Sequence, residues 1–543
     1  MRACIRASQL CFAWPDGTPV FAGLSFTLDA RRTGLVAPNG AGKSTLMRLL
    51  AGELAPSAGH VEMDGSFAYL PQAIAFTGEL EVADVLGVGE TLRALAAIAE
   101  GRTEQALFDT VGDAWDLEER TRASLAKFGL EHLVLDRRLD TLSGGEVMAL
   151  GLAAQWLSSP DILLLDEPSN HLDRAARERL YRLVDEWPGC LVVASHDRAL
   201  LERMDQIAEL DRDGLRLYGG GFAFYEAASR AQAEAAEQDV RNLRQAAKRE
   251  QRERQQARER GERRSANARR NVADAGLPRI VAGNRQQAAQ VSAGRADDVH
   301  AARMDDVSRR LAEVRRAIRE APDLAIELPA TQVPAGRGVF SAQGLQVIRD
   351  GVALFAPGGI DLDIRGPERV AVAGGNGAGK TTLARLISGE LSPDGGRIKR
   401  GEGRIARLSQ RLDTVEAEAT VLECFAACTP ALDDVERANL LARWRFRGAA
   451  MQQPVATLSG GERLRICLAC TLHATPAPQL LVLDEPTNNL DLWAVRELER
   501  ALRAYRGALV VISHDAAFVD AISPTRRLLL EHGRLVEQHV VGA

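Results

Sequence analysis

Ala37-Pro38-Asn39-Gly40-Ala41-Gly42-Lys43-Ser44 follows the strand-like segment Gly34 to Ala37 and precedes a helix. A glycine-rich turn in that setting aims backbone N–H groups, and the positive end of the helix, at phosphate oxygens. Asn39, Gly40, Ala41, Gly42, Lys43, Ser44 and Thr45 are therefore candidate nucleotide contacts. The Lys43 ammonium would bridge the terminal phosphates and the Ser44 hydroxyl would hold Mg²⁺. The loop begins with Ala37 where glycine is commoner, but that position precedes the tight part of the turn. The pattern returns as Gly374-Gly375-Asn376-Gly377-Ala378-Gly379-Lys380-Thr381, again after a strand-like segment, Val370 to Ala373. There Asn376, Gly377, Ala378, Gly379, Lys380, Thr381 and Thr382 take the corresponding parts.

Outward from each loop the same signals follow in the same order. Gln72 and Gln410 come first, then Leu142-Ser143-Gly144-Gly145-Glu146 and Leu458-Ser459-Gly460-Gly461-Glu462. Apolar runs end in Asp166-Glu167-Pro168 and Asp484-Glu485-Pro486, and Ser195-His196-Asp197 and Ser513-His514-Asp515 close the series. The lysines stand 337 residues apart, the glutamines 338, the serines 316, and the aspartates and histidines 318. The halves thus match except between glutamine and serine, where the first carries 22 additional residues, inside the stretch from Glu79 to Leu142.

Each signal has a chemical reading. Asp166 and Asp484, at the ends of buried strands (Asp161 to Leu165; Gln479 to Leu483), are placed to hold Mg²⁺ through water. Glu167 and Glu485 follow directly and can orient and polarise an attacking water. Gln72 and Gln410 can couple Mg²⁺ and water to movement of a helical insert. His196 and His514, after the apolar strands Leu191 to Ala194 and Leu509 to Ile512, can contact the terminal phosphate. Ser143 with Gly144 and Gly145, and Ser459 with Gly460 and Gly461, form an anion site at a helix start with no anion in its own half. That missing ligand argues for head-to-tail pairing, in which Ser143 and Gly145 complete the Lys380 site and Ser459 and Gly461 complete the Lys43 site. Trp14 is placed to stack on adenine in the first site, and Arg349 takes the corresponding place in the second.

Alternating strand and helix signals predict an α/β chain with two phosphate-loop domains built on parallel sheets, each carrying a helical subdomain. The boundaries read as 1–225, 226–325 and 336–543, with helical inserts at about 85–155 and 415–470. From Ala227 to Arg270 glycine and proline are scarce, which favours a long helix. A second helix, Ala296 to Glu320, carries the apolar seam Met304, Val307, Leu311, Val314 and Ile318, so the linker reads as a helical hairpin. Residues 241–285 hold 13 Arg and one Lys against four Glu and one Asp, an excess of nine positive charges inside a chain of net charge −6. Arg263, Arg264, Arg269, Arg270, Arg279 and Arg285 crowd toward the expected tip and are candidate phosphate-backbone contacts. A solvated helix face is the plain alternative.

No run of about 18 apolar residues exists, and Met1–Arg6 lacks the apolar core of a signal peptide. Seven cysteines, an odd number, suit a reducing compartment. Cys467 and Cys470 read as buried small apolar residues rather than a metal pair. Of the basic residues 63 are Arg and five are Lys, yet Lys43 and Lys380 are among the five, which points to a requirement for a compact ammonium there.

These motifs resemble ATP-binding cassette (ABC) ATPases. Twin cassettes on one chain with an interdomain helical hairpin resemble the ABC-F type. The stretches Asp166–Asp173 and Asp484–Asp491 look like that family's form. The resemblance implies a cytosolic ATPase, acting with ATP and Mg²⁺ as a monomer, that binds the ribosomal E site and reaches its linker toward tRNA. The implied tasks are translation or protection from ribosome-targeting antibiotics. In the family the first cassette carries an inserted arm, and 22 residues allow a short one. Ending at Ala543, the chain lacks the C-terminal coiled coil of some relatives, which weakens a DNA role. The other reading is an ATP-binding subunit working with a separate membrane protein, in which the basic hairpin has no evident purpose.

Overall fold

The computed structural model describes residues 3–72, 80–170, 172–211, 214–274, 309–310, 328–349, 351–408, 418–488 and 490–538. The chain divides into two compact units, Met1–Ala223 together with Leu324–Ala543, and Phe224–Asp323.

The first unit contains both cassettes. In the first, strands β1 (Ala3–Ala13) and β2 (Pro19–Asp29), each 11 residues long, precede β3 (Arg32–Val36), β4 (Ala58–Met63) and β5 (Phe67–Leu70). Then come β6 (Ile162–Asp166), β7 (Cys190–Ala194), β8 (Gln206–Asp211) and β9 (Gly214–Gly219). Two sheets result: an antiparallel one ordered β2-β1-β4, and a six-stranded one ordered β5-β6-β7-β3-β8-β9. The latter is parallel except for its last strand.

The second cassette repeats this plan. Its strands are β10 (Gly338–Gln346), β11 (Ile348–Arg349), β12 (Val352–Ala353), β13 (Ile360–Arg365), β14 (Arg369–Ala373) and β15 (Gly395–Arg400). They continue with β16 (Arg404–Leu408), β17 (Pro478–Asp484), β18 (Ala508–Ile512), β19 (Arg526–Glu531) and β20 (Arg534–Gln538). The sheet orders are β13-β10-β15 and β16-β17-β18-β14-β19-β20. Among the described residues the short β11–β12 pair is added to the strands of this plan.

Central strands read as unbroken apolar runs because both faces of the sheet are covered. Along β17, Leu480 and Val482 pack into one core with the helix Lys380–Ser388 and the antiparallel sheet. Leu481 and Leu483 point the other way, into a core with Phe425, Trp444 and the helix Gly460–Leu472. The alternation of strand side chains thus joins the phosphate-loop layer to the helical subdomain. Cys467 and Cys470 lie fully inside the second core, and the six cysteines whose side chains are described are free thiols.

The additional residues of the first half fold as the helices Gly89–Ala99 and Gln105–Val111, packed on each other. The bridge of Glu81 with Arg138 brackets the insertion, and its equivalent in the second cassette, Thr420 with Pro454, closes the shorter stretch that lacks it. One helix runs from Phe222 to Asp274, 53 residues, about 80 Å long, extending past both expected ends and belonging to the other unit from Phe224 onward. Pairs four residues apart, such as Arg249 with Glu253 at 3.0 Å, support it. The expected second helix lies outside the described residues except for 309–310.

His473 ties the second core to pH. Its ring meets Phe425 and Trp444 edge-on, each at 6.1 Å between centroids. Burial first, then the charge of Arg443, holds its pKa down at about 4. The unfolded ring titrates near pH 6.5. Stability from the neutral ring is therefore present above pH 6.5 and lost as the pH falls through 4. Urea titrations of His473→Leu should show a shallower loss of stability across that window. His514, also held at about 4 by burial, keeps part of the slope. An unchanged acid limb in the variant would contradict this account.

Candidate active site

Gly42 ends the first phosphate loop at φ 97° and Gly379 the second at φ 99°, left-handed conformations that L side chains rarely adopt. The helices Lys43–Leu50 and Lys380–Ser388 start immediately after them. Both lysines are buried. Lys43 Nζ donates to Ala37 O at 3.0 Å and lies 2.7 Å from His196 Nε2. Lys380 Nζ donates to Gly374 O at 2.7 Å and Gly375 O at 2.9 Å. Burial lowers both ammonium pKa values, and nearby carboxylates oppose the shift, Glu167 most strongly for Lys43 and Glu485 for Lys380.

Asp166 and Asp484 close β6 and β17. Tyr69 Oη donates to Asp166 Oδ2 at 3.5 Å, while Asp166 Oδ1 is buried with no hydrogen-bond partner. Thr381 Oγ1 donates to Asp484 Oδ1 at 3.4 Å, and Arg407 Nη1 stands 3.6 Å from Asp484 Oδ2. Directly afterwards Glu167 and Glu485 take φ 50° and 46°, uncommon for non-glycine residues. Each is pinned there by its own N–H, donated to Ala194 O at 2.8 Å and to Ile512 O at 2.9 Å. The left-handed step turns the glutamates out of the strand and toward the lysines. Burial raises their pKa to about 8 for Glu167 and about 7 for Glu485, against the pull of Lys43 and Lys380. His196 Nε2 and His514 Nε2 each lie 3.4 Å from the neighbouring glutamate Oε1. Burial, then the nearby lysine, lowers the pKa of both rings. Gln72 is exposed at the end of β5, and Gln410 lies outside the described residues.

Ser143 and Ser459 cap the helices Gly144–Ser158 and Gly460–Leu472 in reciprocal boxes. Their hydroxyls donate to Glu146 Oε2 at 2.8 Å and Glu462 Oε2 at 2.7 Å. Glu146 also meets His132 Nε2 at 2.9 Å, and that bond, with the Ser143 N–H, holds its pKa down at about 2.

The halves meet head to tail at the first phosphate loop. Asn39 N donates to Asp491 Oδ2 at 2.8 Å, and a Cβ on Gly460 would stand 3.6 Å from the Asn39 side-chain nitrogen. A cavity of about 500 Å³ surrounds Lys43, walled by Trp14, Gln72 and Glu167 from one cassette and by Asn488 and Leu490 from the other. Trp14 packs edge-on against Phe12 at 5.2 Å and keeps 36% of its surface exposed. Asp173 is the counterpart of Asp491, and its charge acts on Lys380. Arg198 and Glu499 form a further cross-cassette ion pair at 2.9 Å, and the repeat places Ala516 and Tyr181 at the equivalent positions. Asp173, Asp491, Arg198 and Glu499 are contributors that sequence reasoning missed. The one available signal was an aspartate opening a helix directly after each Asp-Glu-Pro stretch.

Arg263, Arg264, Arg269 and Arg270 lie on the Phe222–Asp274 helix of the other unit, with Arg263 exposed; Arg279 and Arg285 fall outside the described residues. Among the described residues no helix is long and apolar enough to cross a membrane.

Two phosphate loops on parallel sheets, each followed by a buried Asp-Glu pair and facing the other half, define a paired-cassette ATPase. Known proteins agree. The family described as ABC transporter matches residues 21–170 and 358–488. The tylosin resistance ATP-binding protein TlrC of Streptomyces fradiae is 36% identical over 92% of this chain and 92% of its own length. The ATP-binding protein Uup of Caulobacter vibrioides is 33% identical over 96% of this chain and 77% of its own. Among solved structures, RNase-L Inhibitor superposes with a TM-score of 0.55 at 18% identity, covering 94% of this chain and 86% of that one. The chain belongs to the ABC-F family of ATP-binding cassette ATPases.

Proposed function

We propose that the two cassettes close around two ATP molecules, hydrolyse them, and use that cycle to act on the ribosome as a cytoplasmic translation or antibiotic-protection factor. The observation that carries the paired mechanism is the cavity around Lys43, whose walls come from both halves. In this reading Lys43 and Lys380 hold the terminal phosphates. Glu167 and Glu485 orient the attacking water, and His196 and His514 face the transferred phosphoryl group. Ser459 with Gly460 and Gly461 complete the first site, and Ser143 with Gly144 and Gly145 the second. Trp14 stacks on the first adenine.

The residues at the strand ends fit Mg²⁺. Asp166 Oδ1 is a buried carboxylate oxygen without a hydrogen-bond partner, and Ser44 holds down the pKa of that carboxyl against the burial that raises it. Ser44, Asp166 and Gln72 would hold the ion in one site, and Thr381, Asp484 and Gln410 in the other. Bound there, Mg²⁺ neutralises charge developing on the phosphate oxygens.

Support for the ribosomal task comes from three directions. TlrC, a relative of matching length, is named for tylosin resistance. The ABC-F type implies ribosome binding. The segment 241–285 carries its excess of nine positive charges on a linker bounded by 226 and 325. RNA and tRNA phosphates are the partners such charge fits. The test is co-sedimentation of Glu167→Gln, Glu485→Gln protein with ribosomes at moderate salt, where ATP should enrich the bound fraction over wild type. Neutralising Arg263, Arg264, Arg269 and Arg270 in that background should weaken binding and flatten its salt dependence while ATP binding persists. Absence of ATP-dependent enrichment overturns the ribosomal reading. The alternative, service to a separate membrane protein, would show as capture of a detergent-extracted membrane partner instead.

A further inference from the structure

Around the acidic strand ends Arg48, Glu53 and Asp166 answer to Arg385, Glu390 and Asp484, but the neutral Tyr69 answers to the charged Arg407. Sheet register fixes the match: Tyr69 pairs with Leu164 and Arg407 with Val482, each two residues before the aspartate. In the first site a neutral phenol stands 3.5 Å from the Asp166 carboxylate. In the second a guanidinium stands 3.6 Å from Asp484. It cannot drift freely, because Arg407 Nε and Nη2 each donate to Glu390 at 2.7 Å, a fork that fixes its plane. Glu53, the equivalent carboxylate, instead takes Arg48 at 3.2 Å.

The set of four therefore carries −1 in the first site (arginine, glutamate, tyrosine, aspartate) and zero in the second (arginine, glutamate, arginine, aspartate). Both members of the Arg407–Asp484 pair are largely sheltered, with 15% and 8% of their side-chain surface exposed, so solvent and salt screen the difference weakly.

We propose that Arg407 makes the two metal–nucleotide sites unequal, its fixed cation weakening divalent-metal binding with ATP at the Lys380 site relative to the Lys43 site. This rests on the reading of Asp166 and Asp484 as metal-holding residues. A positive charge beside a carboxylate reduces the field that a divalent cation meets there, and ATP brings the same phosphates to both sites. Arg407 acts through Asp484, as a positioning residue, and touches no reacting atom.

The test is equilibrium dialysis of Mn²⁺ against the full chain carrying Glu167→Gln and Glu485→Gln, at saturating ATP. Two classes of bound Mn²⁺ per chain are expected, separated by about three- to tenfold in affinity. Arg407→Tyr, which installs the first site's own residue, should draw the classes together, and Arg407→Gln should do the same should the tyrosine fail to fold. Arg407→Lys should keep them apart. One affinity for both sites, or a split that neither neutral variant moves, overturns the inference. Failure to retain Mn²⁺ at either site would instead overturn the metal-holding reading beneath it.

Discussion

Chain carrying both Glu167→Gln and Glu485→Gln should bind ATP normally and hydrolyse it about 10²- to 10⁴-fold more slowly, the range spanned by loss of a positioned proton acceptor. Both glutamates sit within 3.4 Å of a histidine and under the influence of a buried lysine, at the one point where strand and phosphate loop converge. An amide retains the shape and one hydrogen-bonding oxygen but cannot accept a proton from water. The same exchange should leave the thermal midpoint at or above wild type, because burial already disfavours the charged carboxylate at both positions. A steady-state phosphate-release assay decides the first part and calorimetry the second. Residual turnover within tenfold of wild type would remove the glutamates from the chemistry.

Gly42→Val should abolish nucleotide binding at the first site while sparing the second. At φ 97° a β-branched residue carries roughly 1–2 kcal/mol of backbone strain. Its Cβ would meet Val20 Cγ1 at 2.7 Å and Phe21 Cζ at 2.9 Å, and Phe21 is buried in the core beneath the loop. Overpacking of this kind adds about 1–3 kcal/mol, which the loop relieves by opening. Opening turns the backbone N–H groups away from the phosphates, so affinity should fall by at least about a hundredfold. At Gly379 the nearest atoms are looser, Leu354 Cδ2 at 3.1 Å and Phe355 Cε1 at 3.2 Å, and the same substitution should be milder. Nucleotide stoichiometry from calorimetric titration should fall from two to one in Gly42→Val. A stoichiometry of two would show that the loop tolerates a side chain.

Much of this architecture was legible because its determinants are local. A glycine-rich turn between strand and helix, an apolar run ending in Asp-Glu, and a serine opening a helix each fix their own backbone. The repeat then located the insertion, which the bridge Glu81–Arg138 brackets where Thr420–Pro454 closes the shorter equivalent stretch. Less was visible where the cause is distant. The bond from Asn39 to Asp491 spans 452 residues, and neither partner carries a mark of the other. The three-stranded antiparallel sheets were not anticipated as separate layers, because bulges between Ala7 and Leu10 and between Ala342 and Leu345 interrupt their alternation. The left-handed glutamates escaped notice for another reason: their strain is imposed by the neighbouring strand's carbonyl, not by their own side chains. Tyr69 and Arg407 are ordinary strand residues until β5 and β16 lay them beside an aspartate.

The ion pair between Arg198 and Glu499 has a wider bearing. Were the two lobes related by perfect symmetry, nothing would decide which seam parts first when phosphate leaves. A tether present along one side and replaced by Ala516 and Tyr181 on the other removes that indifference. The two lobes are therefore held by unlike contacts at equivalent places of the repeat, and parting them breaks a charge pair that has no counterpart in the other half.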